Sequence, residues 1–334
     1  MSEQHTQKPV HRVRGVDHAA FPTFDPNATV RFDAGPLTLS ARIRGPRQQP
    51  RGVIVALHGG TYDSSYYDTG ADSLLDLAAT LGYLVVAVDR PGYGATHGAG
   101  PELLTFDAQT TILSQALLRI WTDIGQRADL VLIGHSIGGM LALCVTATRP
   151  AVPLRGVEVS GLGELWQPGL REMWGSLIGD AAEVTVPANA HNQVMYGPEG
   201  TFDAARQAKF TALQRPIPMP ELIDVVAWSD RLPSVAAAID VPVRATLAEH
   251  DNIWQSDAAT RTALRQRFTR WPSIQVESFP GAGHSIELHC GARAYVLRQL
   301  AFAEECLSAL SEAAKASLSR TNAHAVPAIW WPRG

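Results

Sequence analysis

Short apolar runs alternate with longer amphipathic ones along most of this chain. Residues 53–57, 83–88, 129–133, 154–159, 241–247 and 273–279 are rich in Val, Ile and Leu and end in turn residues, which predicts buried strands. Between them, 73–81, 106–124, 140–148 and 257–268 carry apolar positions at helical spacing, and a long helix is expected over 286–314. Ahead of these, 30–32 and 37–43 read as an antiparallel pair joined at Ala34-Gly35-Pro36. Strands alternating with helices predict an α/β fold, a mostly parallel sheet with helices on both faces.

The rhythm breaks between 161 and 232. That stretch is rich in Trp, Met and Pro and shows no clear strand. An inserted cap or lid over the carboxyl edge of the sheet is the expected reading, since ligands of open α/β sheets bind there. The predicted organisation is an N-terminal arm over 1–27, a core over 28–160 and 233–312, the cap over 161–232, and a tail over 313–334. The tail carries an apolar cluster, Ala328-Ile329-Trp330-Trp331-Pro332, able to dock on the body.

Composition narrows the function. A hydrophobic content of 46% supports a sizeable core, and a net charge of −4 offers no basic footprint for nucleic acid. Cys144, Cys290 and Cys306 lie in apolar or helical stretches and read as free thiols of a reducing compartment. The polar stretch 1–14 has no signal-peptide core, and no run approaches the ~18 apolar residues of a membrane span. A cytoplasmic enzyme on a small-molecule substrate is expected, with no membrane partner and with a homo-oligomer left open. No phosphate loop or metal cluster is visible. Gly92 and Gly94 lack the third glycine and acidic partner of a dinucleotide fingerprint, so neither cofactor nor metal is expected.

Candidate chemistry centres on Gly134-His135-Ser136-Ile137-Gly138-Gly139. A serine in Gly-x-Ser-x-Gly between a strand and a helix is the pattern of a nucleophile elbow, where the glycines remove Cβ atoms that would strike neighbouring backbone. A second copy, Gly283-His284-Ser285-Ile286-Glu287, has Glu in place of the second glycine and follows a loop. Ser285 is therefore expected as a solvated turn or helix-start serine. The base should be His284, in the loop after the last strand; His135 should diverge from its neighbour Ser136, and His58 should brace a loop. The orienting carboxylate should be Asp251, after the 241–247 strand, with Glu249 as the local alternative and Glu164 as a remote one. Oxyanion donors are expected from Ile137 and from Gly60 or Thr61.

These residues resemble the α/β-hydrolase superfamily over roughly 28–160 and 233–312. The matching pieces are Leu57-His58-Gly59-Gly60, Asp89-Arg90-Pro91-Gly92-Tyr93-Gly94, the 134–139 run, Ala248-Glu249-His250-Asp251 and Gly283-His284. The resemblance implies an eight-stranded mostly parallel sheet with Ser136, Asp251 and His284 as nucleophile, acid and base; the 89–94 segment reads as structural. The chain is also similar to some capped members that act on acylated intermediates in natural-product pathways.

Aromatic residues are the expected substrate wall: Trp166, Trp174, Met173, Met195 and Tyr196 in the cap, Tyr62, Tyr66 and Tyr67 after the oxyanion loop, and Trp254 beside the acid. The leading expectation is a serine hydrolase cleaving a carboxylic ester, lactone or thioester through an acyl-serine. A lyase or acyltransferase on the same triad is the alternative, since a dry cap favours elimination or another acceptor. A non-catalytic ligand-binding protein is the third reading, and it has no need for a base and its orienter.

Overall fold

The computed structural model describes residues 29–308, apart from 125 and 271–273. The arm, the tail, the 309–314 end of the expected long helix and the first residue of the 273–279 strand lie outside the described residues. In chain order the strands are β1 (Thr29–Ala34), β2 (Leu37–Arg44), β3 (Val53–Leu57), β4 (Leu84–Val88), β5 (Leu130–His135), β6 (Leu154–Ser160), β7 (Glu183–Val184), β8 (Ile217–Pro218), β9 (Val243–Ala248) and β10 (Gln275–Phe279). The helices are α1 (Leu74–Thr80), α2 (Phe106–Asp123), α3 (Ile137–Ala147), α4 (Leu170–Gly175), α5 (Ala188–Met195), α6 (Ala204–Ala212), α7 (Met219–Val226), α8 (Trp228–Ala238), α9 (Ala258–Arg267) and α10 (Ala292–Ser308).

Eight strands form one sheet in the order β1-β2-β4-β3-β5-β6-β9-β10. β2 pairs antiparallel with both β1 and β4; the remaining pairs are parallel. Alternate residues of β3, β4 and β5 enter two cores. Val55, Val86 and Leu132 pack with α2, α3 and α8, whereas Ile54, Val85 and Val131 pack with α1 and α10. Both faces are covered, which is why these strands read as unbroken apolar runs. The parallel strands release their following loops at one edge, so His58, Ser136, Gly161, Asp251 and His284 gather there from five separate stretches of chain.

Two expectations change. The 286–314 helix is divided: a 3₁₀ turn, Ile286–Leu288, precedes α10, which starts only at Ala292. Between them His289 forms an isolated antiparallel bridge with Phe202, and its Nε2 accepts the N–H groups of Gly197 and Gly283, each at 2.9 Å. Docking of the insert thus holds these residues out of the helix. The spacing hid the break because the turn and α10 bury residues on the same side, Leu288 with Val296 and Leu300.

The insert is also more ordered than its sequence suggests. It holds α4 to α7 and a short antiparallel pair, Glu183 opposite Pro218 and Val184 opposite Ile217. α8 crosses the expected 232/233 boundary, carrying Pro233 inside it, and packs on α3 and α9 with Trp228 in the core. The insert therefore ends before Trp228, and a proline that reads as a helix stop sits within a continuous helix.

Candidate active site

Ser136 alone separates β5 from α3. Its φ of 52° and ψ of −121° lie outside the ordinary range of a residue with a Cβ, a strain worth ~1–3 kcal/mol. Glycines make the turn possible. A Cβ on Gly134 would sit 2.6 Å from the Gly138 oxygen, and one on Gly138 would strike the carbonyl oxygens of Leu57 and His58. The Ser136 N–H donates to the Ser160 carbonyl at 2.7 Å, and its own carbonyl accepts from Met140 at 2.9 Å, so the turn is anchored on both sides.

His284 Nε2 lies 3.0 Å from Ser136 Oγ, and its Nδ1 lies 3.1 and 3.0 Å from the two carboxylate oxygens of Asp251. All three side chains are buried, Ser136 being the most open at 9%. Asp251 Oδ1 also accepts the N–H groups of Ile253 at 2.8 Å and Trp254 at 3.1 Å, which fixes the carboxylate plane against the ring. Such a chain can take the hydroxyl proton onto the imidazole and stabilise the resulting cation. Glu249 does not meet His284: it accepts the Gly281 N–H at 2.8 Å. Glu164 pairs with Arg267 at the surface.

The loop after β3 closes the other side. A Cβ on Gly59 would lie 3.1 Å from Ser136 Cβ, and one on Gly60 would lie 2.7 Å from Ile137 Cδ1. Gly60, Thr61 and Ile137 therefore border the serine, and the N–H of Ile137, first residue of α3, has no acceptor within its helix. Thr61 adopts φ 63°, and its hydroxyl pairs with His191 Nε2 at 3.0 Å. Burial pushes His191 down to about 4. His58 lies beneath the loop: Nδ1 donates to the Gly59 carbonyl at 2.8 Å and Nε2 accepts the Arg90 N–H at 3.1 Å. Burial, and then the charge of Arg90, push His58 down to about 3, so it stays neutral.

His135 diverges from Ser136. It stacks on Tyr66 with centroids 4.7 Å apart, and its Nδ1 lies 3.2 Å from Ser160 Oγ. Burial and then the neighbouring His284 and His58 hold it well below the ordinary histidine range. Ser285 is not solvated: it is buried, with its hydroxyl 3.6 Å from the Met195 sulfur, because the insert covers this turn.

A narrow cleft with a cavity volume of about 30 Å³, partly open to solvent, reaches Ser136. Trp166, Trp174, Met195 and Trp254 line it, and the rings of Trp166 and Trp254 pack with centroids 4.3 Å apart. Tyr62, Tyr66 and Tyr196 do not. Tyr66 gives its hydroxyl to Glu287 at 2.5 Å, and Tyr62 packs between Tyr66 and His191. Tyr196 lines a separate outer groove with Phe202 and Asn252, Tyr67 donates to the Leu57 carbonyl at 2.9 Å, and Met173 is exposed. The sequence reading missed Met140, Ile217, Leu222, Val225 and Ile253, which complete the wall. Leu222 and Val225 stand three apart on α7, a helical stripe that carried the available signal. Among the described residues no charged side chain lines the cleft.

The sheet order, the serine between strand and helix, and the cleft at the carboxyl edge define an α/β-hydrolase fold. The profile described as "Alpha/beta hydrolase family" matches residues 54–295. The chain belongs to that family and is an enzyme of the hydrolase type. Among curated proteins it is similar to proline iminopeptidase of Lactiplantibacillus plantarum, 34% identical over 102 residues; the match spans 30% of this chain and 33% of that relative. Among solved structures it is similar to monoglyceride lipase from Saccharomyces cerevisiae, with TM-score 0.67, 14% identity, and 86% and 97% of the two chains covered. A carboxyl esterase from Bacillus coagulans gives TM-score 0.63, 18% identity, and coverage of 84% and 98%. At these identities the structural likeness shows the fold. No helix among the described residues is long and apolar enough to cross a membrane.

Proposed function

We propose that this enzyme hydrolyses an uncharged carboxylic ester, lactone or thioester through an acyl-serine formed on Ser136. The carrying observation is the Ser136–His284–Asp251 chain of hydrogen bonds at 3.0–3.1 Å, opening on an uncharged aromatic cleft. His284 takes the Ser136 proton as Oγ attacks the acyl carbon. The negative charge on the acyl oxygen is met by the N–H of Ile137 and one from Gly60 or Thr61. His284 then gives its proton to the departing alkoxide or thiolate, and water repeats the sequence to release the acid. The insert acts as the cap whose Trp166 and Trp174 select the acyl group. The aminopeptidase activity suggested by the curated relative's name finds less support, because among the described residues no acidic side chain lines the cleft to receive a charged peptide end.

A fluorophosphonate probe tests the reading, together with a panel of p-nitrophenyl esters, thioesters and lactones of graded size. The expected result is labelling of Ser136 alone, with turnover that labelling abolishes. A protein that turns over panel members while Ser136 stays unlabelled overturns it.

A further inference from the structure

A closed ion pair ties the insert to the loop that carries Gly60. Arg90 follows β4, and Glu221 lies in the first turn of α7 within the insert; neither side chain is exposed at all. Nη1 and Nη2 of Arg90 donate to the two Glu221 carboxylate oxygens at 2.7 and 3.0 Å. The same guanidinium donates from Nε to the His58 carbonyl at 2.7 Å and from Nη2 to the Gly59 carbonyl at 3.1 Å. Glu221 further accepts the Tyr93 hydroxyl at 3.1 Å and the Gln109 amide at 3.0 Å. Every donor on Glu221 thus comes from outside the insert, while its neighbour Leu222 lines the cleft.

Peptide planarity gives this network a direction. The Gly59 carbonyl and the Gly60 N–H belong to one trans peptide plane and point opposite ways. Arg90 Nη2 and His58 Nδ1 hold that carbonyl from below, at 3.1 and 2.8 Å, and so fix where the Gly60 N–H points. Two successive glycines have too much backbone freedom to hold such an orientation unaided. The guanidinium is itself held by Glu221. Burying either charge alone is strongly unfavourable, so the network stands or falls as a unit.

We propose that Glu221 is a positioning residue for acyl transfer: through Arg90 it aims the Gly60 N–H at the acyl oxygen, so that seating of α7 against the substrate and alignment of the oxyanion donor are coupled. This inference rests on the acyl-serine reading above, and it selects Gly60 over Thr61 as the donor opposite Ile137.

The test uses Glu221→Gln and the double variant Arg90→Met/Glu221→Met, which leaves no orphaned buried charge and keeps the region apolar if the single variant fails to fold. Ser136 is first titrated to completion with a fluorophosphonate, so that turnover of p-nitrophenyl acetate is counted per competent serine. Loss of an oxyanion donor costs ~10²–10³ in rate. The expected result is a ten- to hundredfold fall in kcat per titrated serine, a parallel fall in the phosphonylation rate constant, and a KM within threefold. A purely structural role lowers the melting temperature and the number of titratable serines but leaves kcat per serine unchanged, and that outcome overturns the inference. Failure of the parent protein to label at Ser136 is a different result and overturns the acyl-serine reading itself.

Discussion

The two sides of the cleft are built differently. On the sheet side, Ser136, Asp251 and His284 stand at strand ends whose spacing is set by sheet register, with glycines clearing the turn. On the insert side, short helices bring apolar residues over the serine and are fastened by buried polar bonds, His191 to Thr61 and Glu221 to Arg90. A sheet edge gives rigid placement to groups that must meet within hydrogen-bond range. A set of short helices gives a wall that can change shape without disturbing that placement. The Arg90–Glu221 pair is where the two constructions meet, so the division between chemistry and selection is incomplete.

The largest effects are expected on the sheet side. Ser136→Ala should remove acyl-enzyme formation and lower kcat/KM for the best panel ester by ~10⁴ or more, with the far-UV spectrum unchanged. Residual turnover within tenfold of the parent ends the nucleophile assignment. Asp251→Asn should cost ~10⁴ in kcat, because an amide neither selects the imidazole tautomer nor stabilises its cation. Glu249→Gln should stay within about threefold, since that carboxylate serves the Gly281 N–H while His284 pairs with Asp251. The reverse order of the two variants moves the acid to Glu249.

Effects on the insert side should be smaller and of another kind. Trp166→Ala and Trp174→Ala remove wall without touching Ser136, His284 or Asp251. Contacts with single methylenes are worth ~1–3 kcal/mol in discrimination. The kcat/KM ratio between octanoyl and acetyl p-nitrophenyl esters should therefore shift ten- to a hundredfold, with acetyl turnover within tenfold of the parent. An unchanged chain-length profile in both variants shows that the acyl group rests elsewhere, most directly in the outer groove beside Tyr196 and Phe202.

The same contrast explains what could be read from sequence. β3, β4 and β5 are buried on both faces, so they appear as unbroken apolar runs, and Ser136 needs glycines that leave a visible motif. The insert lacks such constraints. α4 and α5 are short, and their faces are decided by what they pack against, a tertiary fact without a periodic signature. Aromatic content also misled: Tyr66 is large and lies near the serine, yet its hydroxyl belongs to Glu287. Nothing in the sequence marks Glu221, because its partner Arg90 lies far away along the chain.

The smallest expected effect concerns a polar network under the sheet side, and it is one of pH. Glu158 accepts from Tyr295 at 2.8 Å and from the Gln299 amide at 3.0 Å, so it is well supplied as a carboxylate. Glu287 accepts the Tyr66 hydroxyl on Oε2, and among the described residues its Oε1 has no close hydrogen-bond partner. With fewer side-chain donors to hold a negative charge, Glu287 is the better place for the neutral carboxyl. Burial raises both Glu158 and Glu287 to about 7. A carboxyl raised in the folded state adds stability that is complete below its unfolded value, near 4.5, and lost as pH climbs through 7. The buried neutral histidines work in the opposite direction: His58 and His191, lowered to about 3 and about 4, add stability above 6.5 that is lost as pH falls. Thermal stability should therefore peak at mildly acidic pH, decline on the alkaline side of that peak until the carboxyls are ionised near pH 7, and level off above it. Glu287→Gln keeps an acceptor for Tyr66 without a titrating group, so its alkaline decline should be shallower than the parent's while its acid decline is unchanged. Melting curves of both proteins from pH 5 to 9 decide the matter: superimposable alkaline limbs remove Glu287 as the source, and a steeper limb in the variant places the proton on Glu158 instead.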